Sequence, residues 1–261
     1  MKPHISVSQI NTFLNCPRAY SYSYEEEDIE PAHVSSPLIL GQAVHMAAAR
    51  LYIGIQKKER VKAREVAEAF CDYLLALRKH RQYPIRYNKG ENFNSMLVMG
   101  MGLVACLFRE TPRDKKIIEV DYEINVPLRN SQGQDLDIPL KGFLDKIVEE
   151  EGNPVVTDLK TSKIKYSAER ISTDLQSCAY TYALATMNGG GPVKFVWEIL
   201  LKNVAPKMQV CEVVRDTPDF DRFWAIAKNT ITAIRAGAYY PVTSWRCKSC
   251  PYSYACGEWR G

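Results

Sequence analysis

The sequence predicts an α/β protein with one core, a helical N-terminal third and a cysteine-rich C-terminal tail. Three observations lead there. Apolar residues recur at helical spacing over 41–58, 62–81 and 92–110. From Lys116 the pattern changes to strand-like segments, at 116–128, 136–149, 155–158, 193–202 and 207–214. Two further helical patterns, 174–187 and 217–237, interrupt and close that series. The order is helices, three strands, helix, two strands, helix. With no internal repeat and no low-complexity linker, 261 residues fit a single domain spanning 1–261.

Each element has a local reason. Ser6 and Ser8 are candidate caps for a short helix ending at Leu14. Tyr20, Tyr22 and Tyr24 alternate with polar residues, which predicts an extended piece or an aromatic face packed on the core. Pro84 and Gly90 mark 83–91 as a loop. Residues 130–135 are turn-like, and Gly152-Asn153-Pro154 turns one strand into the next. Thr173 or Asp174 caps the helix that Gly189 to Pro192 ends. Thr217 or Pro218 starts the last helix and Gly237 stops it.

Composition narrows the class. The net charge of +4 permits a nucleic-acid partner without arguing for one. No apolar run approaches the roughly 18 residues of a membrane span, and MKPHISVSQ lacks a signal-peptide pattern, so the expectation is a cytoplasmic protein with no membrane partner. Eight cysteines in such a chain argue for metal or cluster ligation by some of them, not for a disulfide framework. Cys71, Cys106, Cys178 and Cys211 stand singly in apolar patterns and read as small buried residues.

Chemistry concentrates in Lys141 to Lys163, two strands and a tight turn. Asp158 and Lys160 are two apart and share a strand face; if the strands pair, Asp145 sits beside them. Two carboxylates and an ammonium suit a hard divalent cation and a phosphate. The Leu159 carbonyl adds an oxygen, and Lys160 can orient a water or stabilise a pentavalent phosphate. His45 is a further candidate ligand, better suited to Mn²⁺ than to Mg²⁺. Gln176 and Tyr180, four apart, share a face of the following helix and can contact a phosphate or a water. A lone D-x-K is a weak signal, since a salt-bridged surface strand has the same spacing. In the tail, Cys247, Cys250 and Cys256 form C-x2-C-x5-C, and Cys16, followed by proline like Cys250, is the candidate fourth ligand. A Cys₄ set fits structural Zn²⁺ or an iron–sulfur cluster, and spacing does not separate them.

Together the motifs G-x-x-x-H (Gly41 to His45), G-F-x-D (Gly142 to Asp145), D-L-K (Asp158 to Lys160) and Q-x-x-x-Y (Gln176 to Tyr180) resemble, in order, RecB-like nucleases of the PD-(D/E)XK superfamily. Cys16-Pro17-Arg18 and the C-x2-C-P-Y…C tail resemble the iron–sulfur subset, which includes AddB-type nuclease domains, CRISPR-associated RecB-like exonucleases and phage relatives. Many members carry Glu where this chain has Asp158. The resemblance implies a mixed central sheet flanked by helices, in a RecB-like nuclease domain whose core spans 116–215. Helices of about 41–110 would arch over the site as part of a DNA channel. His45, Asp145, Asp158 and the Leu159 carbonyl would bind Mn²⁺ or Mg²⁺, Lys160 would be the catalytic lysine, and Gln176 and Tyr180 would complete the site. Cys16, Cys247, Cys250 and Cys256 would hold a [4Fe–4S] cluster joining the chain's ends. The implied activity is DNA exonucleolysis, chiefly on single strands and 5′ to 3′, with Lys163, Lys165, Arg78 and Arg81 as candidate phosphate contacts. Two alternatives stand beside it. One is a nuclease subunit trimming DNA ends within a larger complex, with protein partners in CRISPR adaptation, repair or phage replication. No G-x-x-x-x-G-K-[ST] is present, so a motor would come from a partner. The other is a non-catalytic Cys₄ zinc DNA-binding protein.

Overall fold

Residues 2–259 are described in a computed structural model, and their organising feature is a five-stranded sheet. The chain enters through α1 (Val7–Asn15), where Ser6 and Gln9 form a capping box: the Ser6 side chain accepts from Gln9 N–H and the Gln9 side chain from Ser6 N–H. Then comes α2 (Pro17–Tyr24). The tyrosines are therefore helical, not extended. Pro17 in the first turn is the signal the five-residue alternation obscured. Tyr20 and Tyr24, one turn apart, meet with ring centroids 5.0 Å apart, so the packed aromatic face exists on a helix. A two-residue β1 (Val34–Ser35) leads to α3 (Ser36–Gln56), α4 (Ala63–His80), a two-residue β2 (Ile85–Arg86) and α5 (Phe93–Glu110). α3 starts five residues before the expected Gly41, with Pro37 in its first turn.

The sheet comprises β3 (Lys116–Arg129), β4 (Asp135–Glu150), β5 (Asn153–Ser162), β6 (Val193–Leu201) and β7 (Lys207–Arg215). Their spatial order follows the chain, and within this sheet β5 and β6 pair in parallel while the other neighbours pair antiparallel. The β4–β5 turn is two residues, Glu151 (φ 51°) and Gly152 (φ 80°), the positive-φ pair that matches strand twist in a tight hairpin. The β5–β6 crossover carries α6 (Ala168–Ser172) and α7 (Leu175–Met187), which Asp174 caps by accepting from Ser177 N–H. After β7 come α8 (Thr217–Arg235), a 3-10 turn (Trp245–Ser249) and α9 (Ser253–Cys256).

Helices cover both faces of the sheet. One core layer joins α1, α7 and α8 to the sheet through Phe13, Ala179, Tyr182, Phe195, Trp197 and Phe223. The other joins α3, α4 and α5 to it through Leu51, Phe70, Leu103, Val155, Leu159 and Leu200. Each fully buried large apolar side chain contributes about 1.5–3 kcal/mol. α3 and α5 are each long and apolar enough to cross a membrane by length and composition, although neither is one unbroken apolar run. Both lie in the second core layer. Cys106 and Cys178 are buried as expected; Cys71 and Cys211 are only half-buried.

The tail docks on the N-terminal module. Arg18 N–H donates to Tyr240 O (3.1 Å), Ala32 N–H to Pro251 O (3.0 Å) and the Tyr254 hydroxyl to Glu30 O (2.7 Å). Arg86 donates to Lys248 O (2.8 Å), and Tyr22 packs on Tyr252.

Candidate active site

β4 and β5 pair from Glu150↔Asn153 to Lys146↔Thr157 and then part. The next residue on each strand is an acid, Asp145 and Asp158. Asp145 bridges the gap with its side chain: Oδ2 accepts the Leu159 N–H at 2.7 Å, and Oδ1 lies 3.1 Å from His45 Nδ1 on α3. β5 continues beside β6, with Asp158 opposite Trp197, Leu159 opposite Glu198 and Lys160 opposite Ile199. Asp158 is 2 % exposed. Its Oδ2 lies 2.6 Å from Lys160 Nζ, yet no donor is aligned for a hydrogen bond, so this is a contact of charges. Asp145, Asp158, Lys160 and His45 therefore come together at one end of the hairpin.

The charges divide between the two acids. Burial pushes the Asp158 carboxyl up to about 6; Lys160 pulls it down, and the Asp145 charge adds to the rise. Burial also acts to raise Asp145, but His45, Lys160 and the Leu159 N–H outweigh it and hold that carboxyl below its usual range. Burial would lower His45, yet the hydrogen bond and charge of Asp145 raise it. Burial would lower Lys160 too, and Asp158 and Asp145 raise it instead. Lys160 is thus an ammonium at ordinary pH, fitted to stabilise negative charge and not to accept a proton.

α7 supplies the other wall. Burial raises the Tyr180 hydroxyl, the neighbouring Gln176 amide partly offsets this, and Asp158, Lys160 and Asp145 all act on it. A methyl at Gly142 would stand 3.2 Å from the Tyr180 ring, so the glycine makes room for it. Of the basic candidates, Arg78 stacks on Phe93 at 4.1 Å.

Sequence reasoning missed four residues here. Asp121 lies on β3 between the pairs Val120↔Lys146 and Tyr122↔Leu144, level with Asp145, with a left-handed φ of 50°. Burial and the Asp145 charge raise its carboxyl. No sequence pattern marked it. Lys146, Glu198 and Tyr52 form a buried polar group beneath the site. A lone Glu in the apolar run VKFVWEILL was the available signal, because a buried charge needs a partner.

Among the described residues, no group of three or more His, Cys, Asp or Glu side chains stands close enough to hold a metal ion. The expected ligands His45, Asp145 and Asp158 are instead engaged with protein partners. Asp145 is engaged on both oxygens, Asp158 is held by Lys160, and the Leu159 group tied to Asp145 is its N–H. The donor chemistry still fits a hard divalent cation: two carboxylates and an imidazole converge, and one buried carboxylate oxygen has no hydrogen-bond donor.

The four cysteines expected as cluster ligands lie near one another. Cys16 and Cys247 both approach the Val242 backbone, at 3.4 and 3.9 Å, and Cys16, Cys256 and Cys247 all act electrostatically on Cys250. The four thiols gather where α2 meets the tail, but none is buried. The backbone bonds described above hold the tail there.

No curated protein matches the chain. Among solved structures, a proposed exonuclease from Eubacterium rectale is 12 % identical with a TM-score of 0.58, the match covering 99 % of this chain and 89 % of that one. It shows a shared fold. The protein SSO0001 is 13 % identical, with 97 % and 94 % covered, at a TM-score of 0.41, too low to bear on the argument. One sequence family has a profile that matches residues 4–257, nearly the whole chain: this chain belongs to the PD-(D/E)XK nuclease superfamily.

Proposed function

We propose that this protein is a divalent-metal-dependent DNA exonuclease acting chiefly on single strands, from 5′ to 3′. The observation that carries the nuclease reading is the buried Asp158 carboxylate, its Oδ2 without a hydrogen-bond donor, beside Lys160 and Asp145. Single-strand preference, polarity and end-directed cleavage rest on the resemblance of the ordered motifs to RecB-like nucleases.

Asp145, Asp158, the Leu159 carbonyl and His45 are the residues that would hold Mn²⁺ or Mg²⁺, which when bound supplies Lewis-acid stabilisation of phosphate charge and an acidified water. Lys160 contributes a fixed positive charge to the phosphate oxygens, and its raised pKa keeps it charged. Tyr180 and Gln176 hold the phosphate or the attacking water from α7. The products are two DNA ends, one retaining the phosphate; the water oxygen replaces the leaving sugar oxygen on phosphorus, and the proton it sheds balances the leaving alkoxide. The α3–α5 layer, with Arg78 and Arg81, and the segment with Lys163 and Lys165 are the proposed walls of the DNA path. Cys16, Cys247, Cys250 and Cys256 are the proposed ligands of a structural [4Fe–4S] cluster.

The test is an end-labelled single strand incubated with the protein in Mn²⁺ or EDTA. Stepwise shortening from the 5′ end in Mn²⁺ alone is expected, lost in Asp158→Asn and Lys160→Ala. Equal turnover by either folded variant would refute the site. Absorbance near 400 nm in anaerobically purified protein tests the cluster; a colourless protein with bound zinc would replace it with the zinc alternative.

A further inference from the structure

Beneath the site lies a polar group that no step above uses. Lys146 and Glu198 are 4 % and 7 % exposed. Lys146 Nζ donates to both Glu198 oxygens, at 2.8 and 2.9 Å, and sits 3.9 Å from the centre of the Tyr52 ring. The Tyr52 hydroxyl donates to Glu198 Oε2 at 2.8 Å. Every partner is thus satisfied from three separate elements: α3, β4 and β6.

Those elements also frame the site. Tyr52 is seven residues, about two turns and roughly 10 Å, along α3 from His45 and on the same side of the helix. Lys146 is the residue after Asp145 and belongs to the last β4–β5 pair before the strands part. Glu198 pairs with Leu159, between Asp158 and Lys160. α3 therefore meets the sheet at three polar points, His45 to Asp145, Tyr52 to Glu198 and Gln56 to the Ile118 carbonyl, and the second lies where solvent cannot loosen it. Apolar packing alone lets a helix slide along a sheet by fractions of an ångström. A directional, fully satisfied buried network fixes one register.

We propose that Tyr52, Lys146 and Glu198 are positioning residues that set α3 against β4 and β6, and so fix the approach of His45 to Asp145 and the spacing of the proposed metal ligands. The proposal rests on the nuclease reading for its consequence but not for its geometry. Removing Glu198 alone would strand the buried Lys146 charge and threaten folding, so two other variants carry the test. Tyr52→Phe keeps the ring and deletes only the hydroxyl; Lys146→Met with Glu198→Leu replaces the ion pair by apolar groups of similar size.

The experiment measures Mn²⁺ affinity by calorimetry, together with kcat and KM on a single-stranded oligonucleotide, for the native chain and both folded variants. Both are expected to bind Mn²⁺ at least several-fold more weakly and to lose kcat about tenfold, with KM for DNA within twofold. Native Mn²⁺ affinity and kcat in the folded variants would overturn the proposal and leave the group a core feature. So would a native chain that binds no Mn²⁺. A native chain that binds Mn²⁺ but cleaves no DNA would instead refute the nuclease reading, while the affinity comparison still decides the role of the network.

Discussion

The Asp145 carboxylate accepts the Leu159 backbone N–H at 2.7 Å, across the gap where β4 and β5 stop pairing. One side chain thereby takes over the ladder bond that the backbone has given up. A single acid then serves both as a strand clasp and as a partner of His45. The two roles separate by substitution. Asp145→Asn keeps an acceptor oxygen for the N–H but loses the charge; it is expected to unfold within about 1 kcal/mol of the native protein while cleavage falls at least 10³-fold. Asp145→Ala loses the clasp as well, at a further cost of about 1–3 kcal/mol. Denaturant unfolding of both variants, read beside their cleavage rates, checks this. Equal stability of the two would show that the clasp contributes nothing.

Asp158 makes stability depend on pH in the sense opposite to most acids. Its folded pKa of about 6 lies above that of an unfolded aspartate. The folded state therefore binds this proton more tightly, and stability from Asp158 declines as pH rises from about 4 through 6, then levels off. At about 1.4 kcal/mol per pH unit the loss is on the order of 3 kcal/mol. Asp145, held low, acts in the opposite sense and His45, held high, in the same sense as Asp158, but both remain in Asp158→Asn. In EDTA, the stability of Asp158→Asn relative to native is expected to grow in the variant's favour between pH 4 and 7. Mn²⁺ binding to the native chain should tighten over the same interval, since the cation competes with the Asp158 proton. A pH-independent difference between the two proteins would mean that the carboxyl is not raised.

The element order was legible because the helices and strands carry strong periodicity; the turn of the hairpin from Lys141 to Lys163, expected at 152–154, lies at Glu151 and Gly152, with Asn153 and Pro154 already paired in β5. The tyrosines of α2 misled because five alternating residues fit either period, and only Pro17 broke the tie. Site residues announced by spacing on one element, Asp158 with Lys160 and Gln176 with Tyr180, could be paired from sequence. Contacts between elements were less legible: the ordered motifs put His45 and Asp145 in one site, but nothing in the chain says that Asp121 lies level with Asp145 or that Lys146 finds Glu198 across a strand. Those depend on register and on where pairing ends, which are tertiary facts.

Gly142 and Tyr180 give a test of the α7 wall. A Cβ at Gly142 would stand 3.2 Å from the Tyr180 ring and 3.6 Å from Ile124, so the ring has to move by a few tenths of an ångström. Gly142→Ala is expected to reduce kcat about tenfold by displacing the hydroxyl, with a stability change under about 1.5 kcal/mol, since overpacking here meets one half-buried ring. Tyr180→Phe, which loses the hydroxyl in place, should reduce kcat by a similar factor, and the double variant should be little worse than either. Additive losses would show that Gly142 acts on something other than Tyr180.

The tail makes a last prediction, because its attachment has two separable causes. Backbone and side-chain bonds from Arg18, Ala32, Arg86 and Tyr254 hold it on the N-terminal module with no contribution from sulfur. Four thiols at the same junction add a proposed metal centre that closes nearly the whole chain into a loop. By the chain-entropy argument used for disulfides, such closure is worth on the order of 5 kcal/mol. Replacing Cys16, Cys247, Cys250 and Cys256 together by serine is therefore expected to lower the melting temperature markedly and to speed proteolysis within the tail after 240. Residues 116–235 should keep their hydrogen-exchange protection, because both core layers are built without the tail. If the serine variant melts with the native protein, the cysteines carry no closing centre and the direct bonds suffice. If β3 to β7 lose protection along with the tail, the junction is part of the core and not a staple upon it.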